Sequence, residues 1–270
     1  MRHRILHLFL VGILLACFCG CSVVRTSLYS LKSTDHFLPL ETDSRVLYEP
    51  GAEDFAEQLA ESLPQAIELV ETGQYRPFAR PVKVFVCASR ESYTKLTGLK
   101  APASLTLKGV FFSPRLVEEQ RPVPLYLTHE LSHLHLEQQM GKYRFAKLPA
   151  WFKEGLAAFV SGGGGAHTVT DEEALEAIAS GSHFVPHEDG GIFFRKYASH
   201  WGLTHHMFYR QSMVFVAYLK SRDENKYRDL LLSIQNGSSF RDAFDDAYGV
   251  RVSQIWGQFV EETRQDLARR

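Results

Sequence analysis

The sequence predicts an α+β fold, a small mixed sheet with helices followed by a mostly helical C-terminal half. Two observations carry this. Short β-branched runs are confined to the chain up to Ser113, and from Pro122 and Pro124 onward apolar residues recur with helical period. The 270 residues and 45% hydrophobic content are those of an ordinary globular protein of one or two domains. Lys plus Arg number 30 against 31 Asp plus Glu, a formal net charge of −1. So even a balance excludes a nucleic-acid binder that works by neutralising many phosphates. It also excludes a charged, disordered tail protein.

The N-terminus reads as an address. Arg2 and Arg4 precede an apolar run from Ile5 to Ala16, which is shorter than the ~20 residues a membrane span needs. The run ends in small residues and cysteines, as a secretory signal does. Three of the four cysteines (Cys17, Cys19, Cys21) lie here, leaving Cys87 without an intramolecular disulfide partner. Leu14-Leu-Ala-Cys17 and Phe18-Cys-Gly-Cys21-Ser22 both resemble a bacterial lipoprotein cleavage box, whose cysteine becomes the lipid-carrying first residue. The expected organisation is a signal over 1–20, a tether over 21–44 and one catalytic unit over 45–270. Lipid would attach at Cys21, or at Cys17, and place the protein in the cell envelope, facing the periplasm or exterior.

Within the folded part, Val46-Leu-Tyr48 reads as a strand closed by Pro50-Gly51. From Glu53 to Val70, apolar residues at 55, 56, 59, 60, 63, 66, 67 and 70 form one helical stripe, with Pro64 inside it as a kink candidate. Pro81 to Cys87 reads as a strand, with Cys87 as a buried small apolar residue. A short helix runs from Ser89 or Arg90 to Gly98, and Leu105 to Ser113 reads as a further strand. Gly162-Gly-Gly-Gly165 reads as a flexible break between helical stretches.

The feature that carries chemistry is His129-Glu-Leu-Ser-His133. Leu127, Leu131 and Leu134 keep a helical period through it, and residues four apart lie one above the other on a helix. Both imidazoles therefore reach one metal ion. Glu130, turned about 100° around the helix, can serve as general base toward water without binding the metal. A catalytic zinc site needs a third protein ligand. Glu154 supplies it: it sits among the apolar residues of Leu148-Pro-Ala-Trp-Phe-Lys-Glu-Gly-Leu-Ala-Ala-Phe-Val160, where an unpaired carboxylate would be costly to bury. Gly155 in mid-helix costs ~1 kcal/mol relative to Ala and points to close packing against another backbone.

His129-Glu-x-x-His133 followed by Pro149-x-Trp-Phe-x-Glu154-Gly resembles the gluzincin metallopeptidases, most closely a bacterial branch described as peptidase-MA-like. The likeness continues in Tyr209-Arg-Gln-Ser212 and in the stretch from Ser239 through Phe259, covering roughly residues 45–265. It implies a zincin-like fold and one Zn2+ per chain on His129, His133 and Glu154, with Glu130 activating water. Tyr209 matches a position whose hydroxyl would stabilise the oxyanion, a donor that amide hydrolysis requires. His205 and His206 are alternatives for that task, while His167, His183, His187 and His200 flank or line a cleft. His135 faces away from the metal.

Many gluzincins carry an acid one turn after the ligand Glu to orient a ligand His, and here that position is Ala158. A backbone carbonyl or a more distant acid would take the role. Such enzymes commonly hold extended substrate against an exposed strand, and Lys108 to Ser113 is either that edge or an internal strand. The implied function is a lipid-anchored zinc peptidase acting on peptide or protein substrate. The alternatives are a non-catalytic zinc-binding lipoprotein with a binding or assembly role, and a zinc hydrolase of non-peptide amides.

Overall fold

The computed structural model describes residues 32–190 and 196–269 of the chain. The expected signal segment and both lipidation candidates, Cys17 and Cys21, lie outside the described residues. The described residues form an α+β fold with one small mixed sheet and helices concentrated in the C-terminal half.

The sheet comprises β1 (Leu38–Pro39), β2 (Val46–Tyr48), β3 (Val84–Val86), β4 (Ala103–Leu105) and β5 (Val110–Phe112), in the order β1-β2-β3-β5-β4. The three middle strands run parallel, and each edge strand is antiparallel to its neighbour. Helix α1 (Glu53–Gly73) covers one face with Phe55, Ala56, Leu59, Leu63, Ala66 and Val70, the stripe read from the sequence. Pro64 is accommodated inside this single continuous helix. Helix α2 (Arg90–Thr97) starts at Ser89, whose side chain accepts from the Ser92 N–H, and ends at Gly98 in the left-handed conformation. On the face opposite α1, Phe37 and Phe111 flank Phe85 beside Cys87, a buried thiol whose pKa burial drives upward.

Two expectations change. Residues 37–40 fell in the expected tether, yet Leu38 and Pro39 pair with Tyr48 and Leu47, and Phe37 and Leu40 are buried. The folded unit therefore includes them. The run from Leu105 to Ser113 is two strands, not one: Thr106 and Gly109 close a hairpin around Leu107-Lys108, with the Thr106 N–H donating to the Gly109 carbonyl. Gly109, at φ 147°, lies so close to β3 that a Cβ would stand 2.5 Å from the Lys83 carbonyl oxygen. As a result β5, the candidate substrate edge, is internal and fully buried between β3 and β4. The edge is β4.

A short helix α3 (Arg115–Glu118) leads to α4 (Val123–Met140), then α5 (Lys142–Lys147), α6 (Ala150–Val160) and α7 (Asp171–Ala179). After a 3-10 turn at Ala198–Trp201 come α8 (His205–Arg222), α9 (Glu224–Gln235), α10 (Phe240–Tyr248) and α11 (Val252–Arg269). Two cores result. One lies between the sheet, α1 and α4, and the other, rich in aromatics around Trp151, Phe215 and Trp256, binds the C-terminal helices together. Helix α4 belongs to both: Leu127, Leu131 and Leu134 enter the first core, Leu136 and Met140 the second. Among the described residues, no helix is long and apolar enough to cross a membrane.

Candidate metal centre

Because α4 is packed on nearly every side, the polar residues it carries are buried on a backbone that cannot easily move. His129, Glu130 and His133 are all below a tenth exposed. Pro124 occupies the first turn, where its missing N–H costs nothing, and the Thr128 hydroxyl donates back to the Pro124 carbonyl. Helix α6 crosses next to α4 with Trp151, Phe152 and Leu156 wholly buried. That packing places Glu154 beside the two imidazoles. Lys153 is buried as well, its ammonium 4.8 Å from the Phe145 ring centroid, so this stretch is not a solvated face.

Gly155 is where α6 meets α8. A Cβ there would stand 2.6 Å from the Ser212 carbonyl oxygen, so the close backbone approach inferred from sequence is to α8. The same crossing brings Tyr209, one turn before Ser212, over α4. Its ring stacks on His129 with centroids 5.8 Å apart and an interplanar angle of 11°.

The ligand atoms converge. Nε2 of His129 and Nε2 of His133 each lie 3.4 Å from Oε2 of Glu154, and candidate donor atoms of the three residues fall within 4.8 Å of one another. Zinc bonds of about 2.0–2.2 Å in tetrahedral geometry give ligand–ligand edges of about 3.3–3.6 Å. The two His–Glu154 separations match these edges, and two imidazole nitrogens with one carboxylate oxygen are a donor set for a divalent transition metal, zinc among them.

The electrostatics are those of one carboxylate and two imidazoles held against each other in a buried site. Burial opposes ionisation of Glu154, yet the two imidazoles, His133 foremost, hold its carboxyl well below the usual range. Burial pulls His129 down, and Glu154 outweighs this and raises it. Glu130 is raised by burial, with His133, His129 and the Leu105 backbone opposing. Tyr209 is driven well up by desolvation and by the Glu154 carboxylate. Nδ1 of both His129 and His133 is buried without a hydrogen-bond partner.

The site opens onto a cleft of about 430 Å³. Glu130 and the ligands form its floor, Tyr209, His205 and His206 one flank, and β4 with Pro102 and Ala101 the other. Since Pro102/Ser113 and Thr106/Gly109 are the hydrogen-bonded pairs of the hairpin, the alternation turns the backbone groups of Ala103 and Leu105 toward the open side. Tyr209 is thus brought to the ligands, and His205 and His206 to the cleft wall. His206 is held by Thr168, whose Oγ1 lies 2.6 Å from Nδ1. His183, His187 and His200 do not line the cleft, and His167 packs behind His206 with ring centroids 4.8 Å apart. His135 points away, its ring nitrogens 2.7 Å from the Gln74 side chain and 2.9 Å from the Arg76 carbonyl.

Two parts of the wall were not read from sequence. One is β4, for which the only signal was Gly109 interrupting an apolar run. The other is Gly162–Gly165, which is no flexible break: Gly164 and Gly165 pack against His129 and Tyr209. Comparison of the chain with protein-family models finds no match, and comparison with curated proteins finds none either.

Proposed function

We propose that the protein is a zinc-dependent peptidase, anchored as a lipoprotein in the bacterial cell envelope. The observation that carries the reading is the meeting of His129, His133 and Glu154, each imidazole 3.4 Å from the shared carboxylate, beside Glu130 and open to a cleft. Zinc bound there would supply Lewis acidity toward a carbonyl oxygen and lower the pKa of water. The chain's own residues do the rest.

Glu130, with its carboxyl raised by burial, takes the proton of the attacking water and delivers it to the leaving amine. Tyr209, kept protonated, donates to the developing oxyanion. Extended substrate pairs with the outward backbone groups of Ala103 and the carbonyl of Leu105, whose N–H faces Glu130, which aligns its scissile bond along the cleft floor. Glu130 separates this reading from a non-catalytic zinc-binding lipoprotein, since a purely structural metal site gains nothing from a buried base.

Replacing Glu130 with Gln is the test. The variant should retain one zinc per chain by metal analysis while peptide-library cleavage falls by about 10²–10⁴-fold. A wild type that cleaves nothing under conditions where it holds zinc would favour the binding role. The anchor rests on the sequence at Cys21 or Cys17. Intact-mass analysis of the membrane fraction should find the chain shortened to one of these cysteines and acylated, and an unprocessed N-terminus would refute it.

A further inference from the structure

We infer that the Gly162–Gly165 loop is a backbone clamp on the metal centre: the Gly164 carbonyl orients ligand His129 through Nδ1, in place of a carboxylate. This rests on the reading of His129, His133 and Glu154 as a metal site.

The loop leaves the C-terminus of α6 and is tied back to it. The Gly163 N–H donates to the Ala158 carbonyl at 2.8 Å, and the Ser161 hydroxyl donates to the same oxygen at 3.2 Å. The Gly164 N–H in turn donates to Ser161 Oγ at 2.9 Å. From the other side, Arg210 of α8 donates to the Ala166 carbonyl at 3.1 Å and pairs with Asp171 at 3.0 Å. Held at both ends, the loop passes between α4 and Tyr209 with no spare room. A Cβ on Gly164 would stand 2.3 Å from the Leu125 carbonyl oxygen and 3.0 Å from His129 Cβ. A Cβ on Gly165 would stand 2.9 Å from the Tyr209 ring and 3.3 Å from His129 Cε1.

The backbone is thus pressed against one ligand histidine whose Nδ1 is buried and unpartnered. The Gly164–Gly165 peptide runs along the edge of His129 from its Cβ to its Cε1, the edge that carries Nδ1. A metal-ligating imidazole coordinates through one nitrogen and donates from the other, which fixes its tautomer and orientation. Gly164 offers the acceptor. No carboxylate approaches Nδ1 from α6, because the side chain at 158 is a methyl group. The Ala158 backbone contributes instead, by holding the loop that presents the carbonyl. Gly164 is therefore a positioning residue, and the glycines serve proximity rather than motion.

The test compares Gly164→Ala with Gly162→Asn in the full chain, using zinc and cobalt(II) as probes. A Cβ at Gly162 meets nothing within 4 Å and its φ of 69° suits Asn, so that variant changes the loop without moving it. Gly164→Ala should weaken zinc affinity by about 10–100-fold in chelator competition, and shift the cobalt d–d spectrum. It should also abolish the slowly exchanging His129 Nδ1–H resonance of the zinc form. Gly162→Asn should leave all three unchanged. Should Gly164→Ala fail to fold, Ser161→Ala, which removes the side-chain tie of Gly164 to α6 and leaves that of Gly163, should weaken affinity in the same direction. Wild-type affinity and spectrum in Gly164→Ala overturn the clamp alone; a wild-type chain that binds no zinc overturns both the clamp and the metal centre.

Discussion

The two walls of the cleft are made of different material. The floor and one flank are side chains on long, fully packed helices: His129, Glu130 and His133 on α4, Glu154 on α6, Tyr209 on α8. The other flank, β4, and the loop behind His129 offer backbone, with N–H and C=O groups on short segments defined by glycine and by a hairpin turn. On the proposed function, the difference separates two tasks. Chemistry needs particular side chains held at fixed distances, which helices buried in two cores provide. Holding a peptide of variable sequence needs groups every peptide can pair with, which an open strand edge provides.

This contrast can be broken from either side. After Glu130→Gln, the largest effect is expected on the helical side, from Tyr209→Phe. It removes the hydroxyl over α4 while keeping the ring stacked on His129, and should lower kcat by about 10²–10³-fold with zinc content and KM little changed. A kcat within a few-fold of wild type would hand the oxyanion to His205 or His206.

A smaller effect is expected on the backbone side. Ala103→Pro removes one outward N–H from an edge strand, a place that tolerates proline. Loss of a hydrogen bond worth about 0.5–1.5 kcal/mol should raise KM up to about tenfold, with kcat nearly unchanged. If KM for extended peptides does not move, β4 is not the substrate strand. Proline at Phe111 or Phe112 is a different experiment, since β5 is internal and its loss would break the sheet.

The smallest effect concerns stability. Gly155→Ala places a methyl 2.6 Å from the Ser212 carbonyl oxygen, and overpacking of this kind costs about 1–3 kcal/mol. The gain in helix propensity, ~1 kcal/mol, offsets part of it. Denaturant unfolding should show a net loss, and a stabilised variant would mean that α6 and α8 separate without cost.

The sequence by itself determined the α+β division, the stripe of α1, the helix bearing His129 and His133, and Glu154 as their partner. These were legible because each rests on local periodicity or on the cost of burying a charge, and neither needs knowledge of distant contacts. Gly155 announced a close crossing, but only the tertiary structure identified Ser212 as the backbone it meets. The edge strand could not be read because Leu105 to Phe112 is apolar on both sides of its turn. Which half stands outermost depends on the pairing of β5 with β3, residues far apart in sequence. The glycine run misled for a related reason. Glycine marks both freedom and confinement, and only the positions of Leu125, His129 and Tyr209 around Gly164 and Gly165 decide which it is.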